Sequence, residues 1–273
     1  MRPKQWAKNL LVFAAPVAAG KIFQGNTLLK TSLAFLAFCF ISSVGYIVND
    51  IRDLERDRTN PKKSKRPLAS GKISTRQALY VLALCALFGV LTASALSFSF
   101  QLVLLLYLVS TMSYSFGLKH QPVVELFIVA LGFFMRAIAG GAATSTPISG
   151  WFLVVTSFGS LVIVVAKRLA EAESLEDIDV RPVIREYPLP FLRFVLSVSA
   201  AVTLTGYSLW AFSLPESRHF AQMSLLPLCL GLFRYVWLVE KGHGEVPEDL
   251  LLHDLVLLLS GFTTAVLLLI SMY

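Results

Sequence analysis

Asn49-Asp50-Ile51-Arg52-Asp53-Leu54-Glu55-Arg56-Asp57 follows directly on the apolar run 27–48 and sets three aspartates where a hydrophobic helix ends. A run of that length is about what one α-helical bilayer crossing requires, so the aspartates stand at a membrane edge. On a helix turning about 100° per residue, Asp50, Asp53 and Asp57 fall at about 0°, 300° and 340°, with Asn49 at about 260°. The four side chains therefore share one face. Hard oxygen donors of this kind suit Mg2+, which meets proteins through a few carboxylates and completes its shell with water and substrate phosphates. The competing reading is a solvated charged helix end with Arg52, Arg56 and Arg58 as partners of the acids.

The rest of the chain supports a membrane setting. Of 273 residues, 56% are hydrophobic and only 15% charged, and the mean hydropathy is +0.69, which excludes an ordinary soluble domain. The expected fold is all-α, a polytopic bundle forming one integral-membrane domain over 1–273. Apolar segments long enough to span recur at 7–22, 27–48, 75–97, 100–116, 123–142, 151–168, 191–212, 222–239 and 254–273. The first is interrupted by Pro16, and the eighth is short and contains Arg234.

Basic residues orient these nine spans through the positive-inside bias. With the N-terminus in the cytoplasm, only Lys21, Lys30 and Arg218 of the 24 Lys and Arg fall outside, and Arg136 lies within a helix. The expectation is a multi-pass protein of the plasma (inner) membrane, N-terminus inside and C-terminus outside. The net charge of +7 is then a topology signal and an attraction to anionic head groups and phosphates, not a nucleic-acid footprint. Arg2, Lys4 and Lys8 before an apolar run ending Ala18-Ala19-Gly20 imitate a signal peptide. Cleavage there would leave eight spans and would require the next segment to enter from the opposite side. Cys39, Cys85 and Cys229 lie singly inside apolar spans, which indicates neither a disulfide framework nor a zinc site.

Two charged cytoplasmic loops, 49–74 and 169–190, are much longer than the other connections and are expected to face each other across a polar cavity. In the first, Lys62, Lys63, Lys65 and Arg66 follow the aspartates, so metal and phosphate ligands stand together. The lysines also suit anionic lipid, whereas Arg66, set between Lys65 and Pro67, is the better phosphate candidate. In the second, Lys167 and Glu171 share a helical face at i and i+4, which a simple salt bridge explains. Lys167 and Arg168 also end a span on the aspartates' side, where a diphosphate would lie. The acidic run Glu173 to Asp179 faces water, and Arg181 and Tyr187 further on are candidate substrate-binding residues. Arg136 is the polar residue most costly to leave unpaired in a span, so it points to the bundle interior or a wet cavity. Glu125 lies about 16 Å away from it along the helix. Gly140 and Gly141 allow close helix approach. Tyr114, Ser115 and Lys119 mark the next cytoplasmic end, where aromatic belts and snorkelling are common.

Asn49, Asp50, Asp53 and Asp57 match the Asn-Asp-x-x-Asp-x-x-x-Asp motif of the UbiA superfamily of intramembrane prenyltransferases, found at the cytoplasmic end of the second of nine helices. The opening Arg2-Pro3-Lys4-Gln5-Trp6-Ala7-Lys8-Asn9 resembles more specifically the decaprenyl-phosphate phosphoribosyltransferase branch. So do Tyr114-Ser115-x-x-Leu118-Lys119, the stretch Arg136 to Gly140, and Lys167-Arg168-x-Ala170-Glu171. Aromatic prenyltransferases of the superfamily usually carry a second Asp-x-x-x-Asp, and Lys167 and Glu171 stand at that spacing here. A cation in place of a carboxylate favours direct phosphate contact over a further Mg2+, although Glu173, Glu176, Asp177 and Asp179 offer other oxygens.

The resemblance implies Mg2+-dependent transfer of 5-phosphoribose from phosphoribosyl diphosphate to a polyprenyl phosphate held in the lipid bilayer, as in cell-wall arabinan precursor synthesis. Asp50, Asp53 and Asp57 would then bind metal and act in catalysis with Lys167. Lys8, Asn9, Asn49, Arg66, Tyr114, Lys119, Arg136, Arg168, Glu171, Arg181 and Tyr187 would bind substrate. The alternative within the superfamily is prenyl transfer from a prenyl diphosphate to an aromatic or other acceptor. A transporter using the aspartates as a cation site fits less well, because transporter sites usually lie near the midplane at interrupted helices. No Asp-Gly or Ala-Arg pattern supports CDP-alcohol phosphotransfer.

Overall fold

The computed structural model describes residues 3–60, 63–173, 182–214, 218–243, 250 and 253–273. Among the described residues the chain is helical and without strands. Eight helices are long and apolar enough to cross a membrane: α1 (Thr27–Arg52), α2 (Thr75–Ser94), α3 (Phe98–Phe116), α4 (Val124–Thr144), α5 (Gly150–Glu173), α6 (Leu189–Ser213), α7 (His219–Gly242) and α8 (Leu255–Met272). Leu79, Leu84, Leu87, Phe88, Val90 and Leu91 of α2 are all exposed. An apolar surface of this extent suits lipid and not water.

These eight helices correspond to eight of the nine expected spans. The first expected span takes another form, a 3-10 segment Pro3–Phe13 followed by a short α-helix Ala14–Ala18. Pro16 accounts for the difference. It has no N–H to offer the carbonyl of Val12, and its ring crowds that carbonyl, so a regular α-helix is disfavoured there. Because a 3-10 segment rises about 2.0 Å per residue against about 1.5 Å in an α-helix, the two pieces still have a contour length of about 30 Å.

The chain forms two compact units, residues 1–17 with 21–147 and residues 18–20 with 148–273. The first contains α1–α4. Its core gathers Val12, Phe38, Phe100, Tyr107, Met135 and Ala139, and the Phe38 ring lies 6.0 Å from Phe100 and 5.1 Å from Tyr107. The Val12 carbonyl that Pro16 leaves without its helical donor rests against Gly140 of α4, where a Cβ would lie only 1.8 Å from the Val12 oxygen. Only glycine permits that approach. α2 starts at a capping box in which Ser74 and Gln77 satisfy each other's backbone N–H groups.

The second unit contains α5–α8. α5 packs on α6 and α7 on α8, with Tyr207, Ala211 and Ala221 forming a buried cluster and the Tyr207 and Ser224 hydroxyls hydrogen-bonded. Arg234, the charge that weakened the eighth expected span, donates through Nη2 to Asp254 at 2.7 Å and stacks on Trp237 at 4.4 Å. Asp254 also caps α8, accepting from the Leu257 N–H at 3.0 Å. These donors, Arg234 first, hold the Asp254 carboxyl below its usual range. Arg193 bridges Glu173 at 2.6 Å and Glu240 at 3.0 Å, tying the ends of α5 and α7 to α6.

Candidate functional site

The aspartate stretch departs from one continuous helix. α1 ends at Arg52, Asp53 takes φ −92° and ψ 9°, and a short helix Leu54–Thr59 resumes beyond it. The ladder is bridged by the Asp53 N–H to the Asn49 carbonyl at 2.9 Å and the Asp57 N–H to the Asp53 carbonyl at 2.7 Å. The break has an electrostatic consequence. Three carboxylates on one face repel one another, and here they are divided between two cations.

Asp50 and Asp57 turn to Arg66. The buried side chain of Asn60 accepts the Lys63 N–H at 2.8 Å, and the Arg66 N–H bonds to the Lys63 carbonyl at 2.9 Å, so successive turns fold the basic loop back on the short helix. Arg66 Nη1 then lies 2.5 Å from Asp57 Oδ2 and 3.4 Å from Asp50 Oδ1. Asp57 is only 4% exposed, so its charge depends on that guanidinium.

Asp53 turns to Lys119, whose Nζ lies 2.5 Å from Asp53 Oδ1. Gly117 makes this possible: at φ 154° it stops α3, and a 3-10 turn Leu118–His120 carries Lys119 inward. The chain then passes through Val123 at φ 64°, with the Val124 N–H bonded to the Pro122 carbonyl at 2.7 Å. A γ-turn of that hand is strained for a β-branched residue. It leads into α4, where Glu125 is fully buried.

Arg52 and Arg58 act elsewhere: Arg52 stacks on Phe116 at 4.3 Å and Arg58 pairs with Glu55 at 2.8 Å. Among the described residues no three His, Cys, Asp or Glu side chains gather closely enough to hold a metal between them, so the expected three-carboxylate centre is not preformed. A Mg2+ that takes one or two carboxylates and completes its shell with phosphate oxygens needs no such gathering. The donor set fits that mode. Asp50 and Asp57 already converge on one cationic nitrogen, and the buried Asn49 Oδ1 accepts no hydrogen bond among the described residues.

Arg136 and Asn9 meet deeper in the first unit. Arg136 Nε donates to Asn9 Oδ1 at 2.7 Å, Nη1 to the Gly132 carbonyl at 2.6 Å and Nη2 to the Tyr107 hydroxyl at 2.7 Å. The Asn9 amide in turn donates to Cys39 Sγ and Ser42 Oγ on α1, each at 3.3 Å. Lys8 lies over the Phe133 ring at 5.7 Å. Tyr107 is the member of this network that sequence reasoning missed, since nothing distinguishes one tyrosine in an apolar run from a core aromatic. Tyr114 is half-buried in the last turn of α3.

In the second unit, Arg168 is 4% exposed and its Nη1 meets Glu171 Oε2 at 2.6 Å, an i,i+3 pair. Lys167 is half-buried beside it near the end of α5. Tyr187 is buried and stacks on Phe191, centroids 6.2 Å apart. Arg181, Glu176, Asp177 and Asp179 lie outside the described residues.

The sequence is 40% identical over 264 residues to the decaprenyl-phosphate phosphoribosyltransferase of Mycobacterium tuberculosis, covering 94% of this chain and 87% of that protein. The Corynebacterium glutamicum protein of the same name is 39% identical over 267 residues, covering 94% and 80%. Two solved structures share the fold. A UbiA homolog from Archaeoglobus fulgidus bound to DMAPP and Mg2+ superposes with a TM-score of 0.73 at 19% identity, over 98% of this chain and 94% of that one. The apo structure of a UbiA homolog from Aeropyrum pernix K1 gives 0.73 at 17% identity over the whole of both chains. The model of the UbiA prenyltransferase family matches residues 10–270, and the chain, a multi-pass membrane protein carrying the aspartate motif, belongs to that transferase family.

Proposed function

We propose that this protein transfers 5-phosphoribose from phosphoribosyl diphosphate to a polyprenyl phosphate and releases diphosphate. The observation that carries the reading is the 37–40% identity, along 94% of the chain, to four proteins named decaprenyl-phosphate phosphoribosyltransferase. Lys167 at the spacing where the aromatic prenyltransferases usually carry an aspartate supports it further.

In this reading Asn49, Asp50, Asp53 and Asp57 hold Mg2+ together with the donor's diphosphate. When bound, the metal supplies neutralisation of the charge that grows on the leaving group. Arg66 and Lys119, already beside these carboxylates, bind diphosphate oxygens and orient the donor. Lys167 and Arg168 bind phosphate, with Glu171 fixing Arg168, and Tyr114, Arg181 and Tyr187 complete the substrate contacts. The bond between ribose C1 and the diphosphate oxygen breaks as a phosphate oxygen of the acceptor bonds to C1. That oxygen is already anionic, so no residue has to remove a proton.

Purified protein in detergent, given labelled phosphoribosyl diphosphate, a polyprenyl phosphate and Mg2+, is expected to yield a labelled phosphoribosyl lipid and free diphosphate, with the yield abolished by EDTA. A prenylated aromatic product from a prenyl diphosphate, with no phosphoribosyl lipid, would reverse the assignment.

We also propose a plasma-membrane orientation with the N-terminus inside and the aspartate loop on the cytoplasmic side, where the soluble donor is made. The basic-residue asymmetry supports it. In a Cys-free background, a cysteine at Ser64 is expected to resist a membrane-impermeant thiol reagent in intact cells while one at Ser149, between α4 and α5, reacts. The opposite labelling would place the aspartates outside and remove the donor from reach.

A further inference from the structure

Between Asp57 and Glu125 the sequence contains no acidic residue. Arg58, Arg66 and Lys119 from this stretch reach carboxylates outside it. Lys65, Lys72 and Arg76 are exposed and meet no carboxylate among the described residues, and the contact Arg76 makes is with the Tyr80 ring, 5.9 Å from its guanidinium carbon. Lys72 and Arg76 do not serve the helix they introduce. Positive charge at an N-terminal end opposes the helix dipole, and the capping box there is made by Ser74 and Gln77.

The helix that follows shows what such cations could hold. With Arg76 set at about 0°, Leu87, Tyr80, Leu91 and Leu84 fall at about 20°, 40°, 60° and 80° around α2, and all four are exposed. The buried Ala78, Cys85 and Gly89 fall on the opposite side, at about 180–220°. Gly89 lies against Ile41 of α1, where a Cβ would be 2.6 Å from Ile41 Cδ1. The exposed stripe is therefore turned away from α1 and its aspartates. From Tyr80 to Leu91 it is about 16 Å long at about 1.5 Å per residue, one leaflet's share of a hydrocarbon core about 30 Å thick. Tyr80, apolar in its ring and polar at its hydroxyl, stands at the boundary between the cations and the stripe.

We infer that Lys72 and Arg76 bind the phosphate of one anionic phospholipid, whose acyl chain lies along Tyr80, Leu84, Leu87 and Leu91. An acyl chain matches a stripe one leaflet long. The head group is anionic and not zwitterionic, because the stretch from Arg58 to Val124 offers no carboxylate to a choline or ethanolamine nitrogen. The site is built on the loop that delivers Arg66 to Asp57: the Ser70 N–H donates to the Arg66 carbonyl at 2.8 Å and the Ile73 N–H to the Pro67 carbonyl at 3.1 Å.

The test measures binding of phosphatidylglycerol and of phosphatidylcholine to the purified full-length protein in detergent, for the wild type and for Lys72→Gln combined with Arg76→Gln. Lys30→Gln, which removes an exposed cation elsewhere in the first unit, controls for net charge. The double variant is expected to bind phosphatidylglycerol about tenfold or more weakly, the scale of two cations near an anionic lipid surface, while phosphatidylcholine binding and Lys30→Gln stay within about twofold of wild type. Both substituted positions are exposed, so the melting midpoint in lipid-free detergent should not move. Equal phosphatidylglycerol binding by wild type and double variant overturns the site, as does an equal loss in Lys30→Gln, which would make the attraction one of net charge alone. If the wild type binds the two lipids alike and the double variant changes the mass of the particle in light scattering, the face belongs to a second copy of the chain and the lipid is overturned.

Discussion

Asp57→Asn is expected to lower kcat/KM by on the order of 100-fold or more while the protein remains folded, the scale of losing one preorganised charge contact at a reacting centre. Two roles converge on this carboxylate. It holds Arg66 at 2.5 Å, and under the proposed function it binds the metal that accompanies the diphosphate. Asparagine keeps the shape and one accepting oxygen but removes the formal charge, so Arg66 loses its ion pair and the metal loses a ligand. Because the Arg66 side chain is 27% exposed, water can solvate the released guanidinium, and the melting midpoint in detergent should fall by only a few degrees. Asp50→Asn, whose oxygen is 3.4 Å from Arg66, should lose comparable activity with less change in stability. Full activity of both variants at matched expression and saturating Mg2+ would remove the metal assignment.

Gly140→Ala is expected to destabilise the first unit by about 3 kcal/mol or more, at the upper end of overpacking effects. The added Cβ would lie 1.8 Å from the Val12 carbonyl oxygen, 2.9 Å from Pro16 Cδ and 3.0 Å from the Val12 carbonyl carbon. These are backbone and ring atoms, so no rotamer change relieves the clash and the whole 3-10 segment has to move. Gly261→Ala in α8 is the comparison, because nothing lies within 4 Å of the new Cβ there. That change should stay within about 1 kcal/mol of wild type, on the favourable side if helix propensity dominates. Melting midpoints and monodispersity of the two variants in the same detergent measure the difference; equal behaviour would mean that the segment before α1 does not rest on α4 as described.

The amino-acid sequence by itself determined the all-helical membrane class and the approximate limits of eight long helices. The reason is that each is a local property. An apolar run of bilayer length has to satisfy its own backbone, and only a helix does so within one segment. Asp50, Asp53, Asp57 and Arg66 stand out because charges at the end of such a run are few. Pro16 likewise signalled that the first span is irregular, although not that it becomes a 3-10 segment.

Only the tertiary structure decided how those residues combine. Helical periodicity placed the three aspartates on one face, but the turn at Asp53 sends its carboxylate to Lys119, which is 66 positions away in sequence, and leaves Asp50 and Asp57 to Arg66. No spacing rule joins those positions, because the pairing depends on where α3 stops at Gly117 and on how it packs against α1. The same holds for Arg136. Sequence marked it as a charge that needed partners, whereas the partners, Asn9 from before α1 and Tyr107 from α3, are brought to it by packing around the Val12–Gly140 contact. Burial makes each of these choices, since a charge removed from water takes whatever dipole or ion the fold brings within hydrogen-bonding distance.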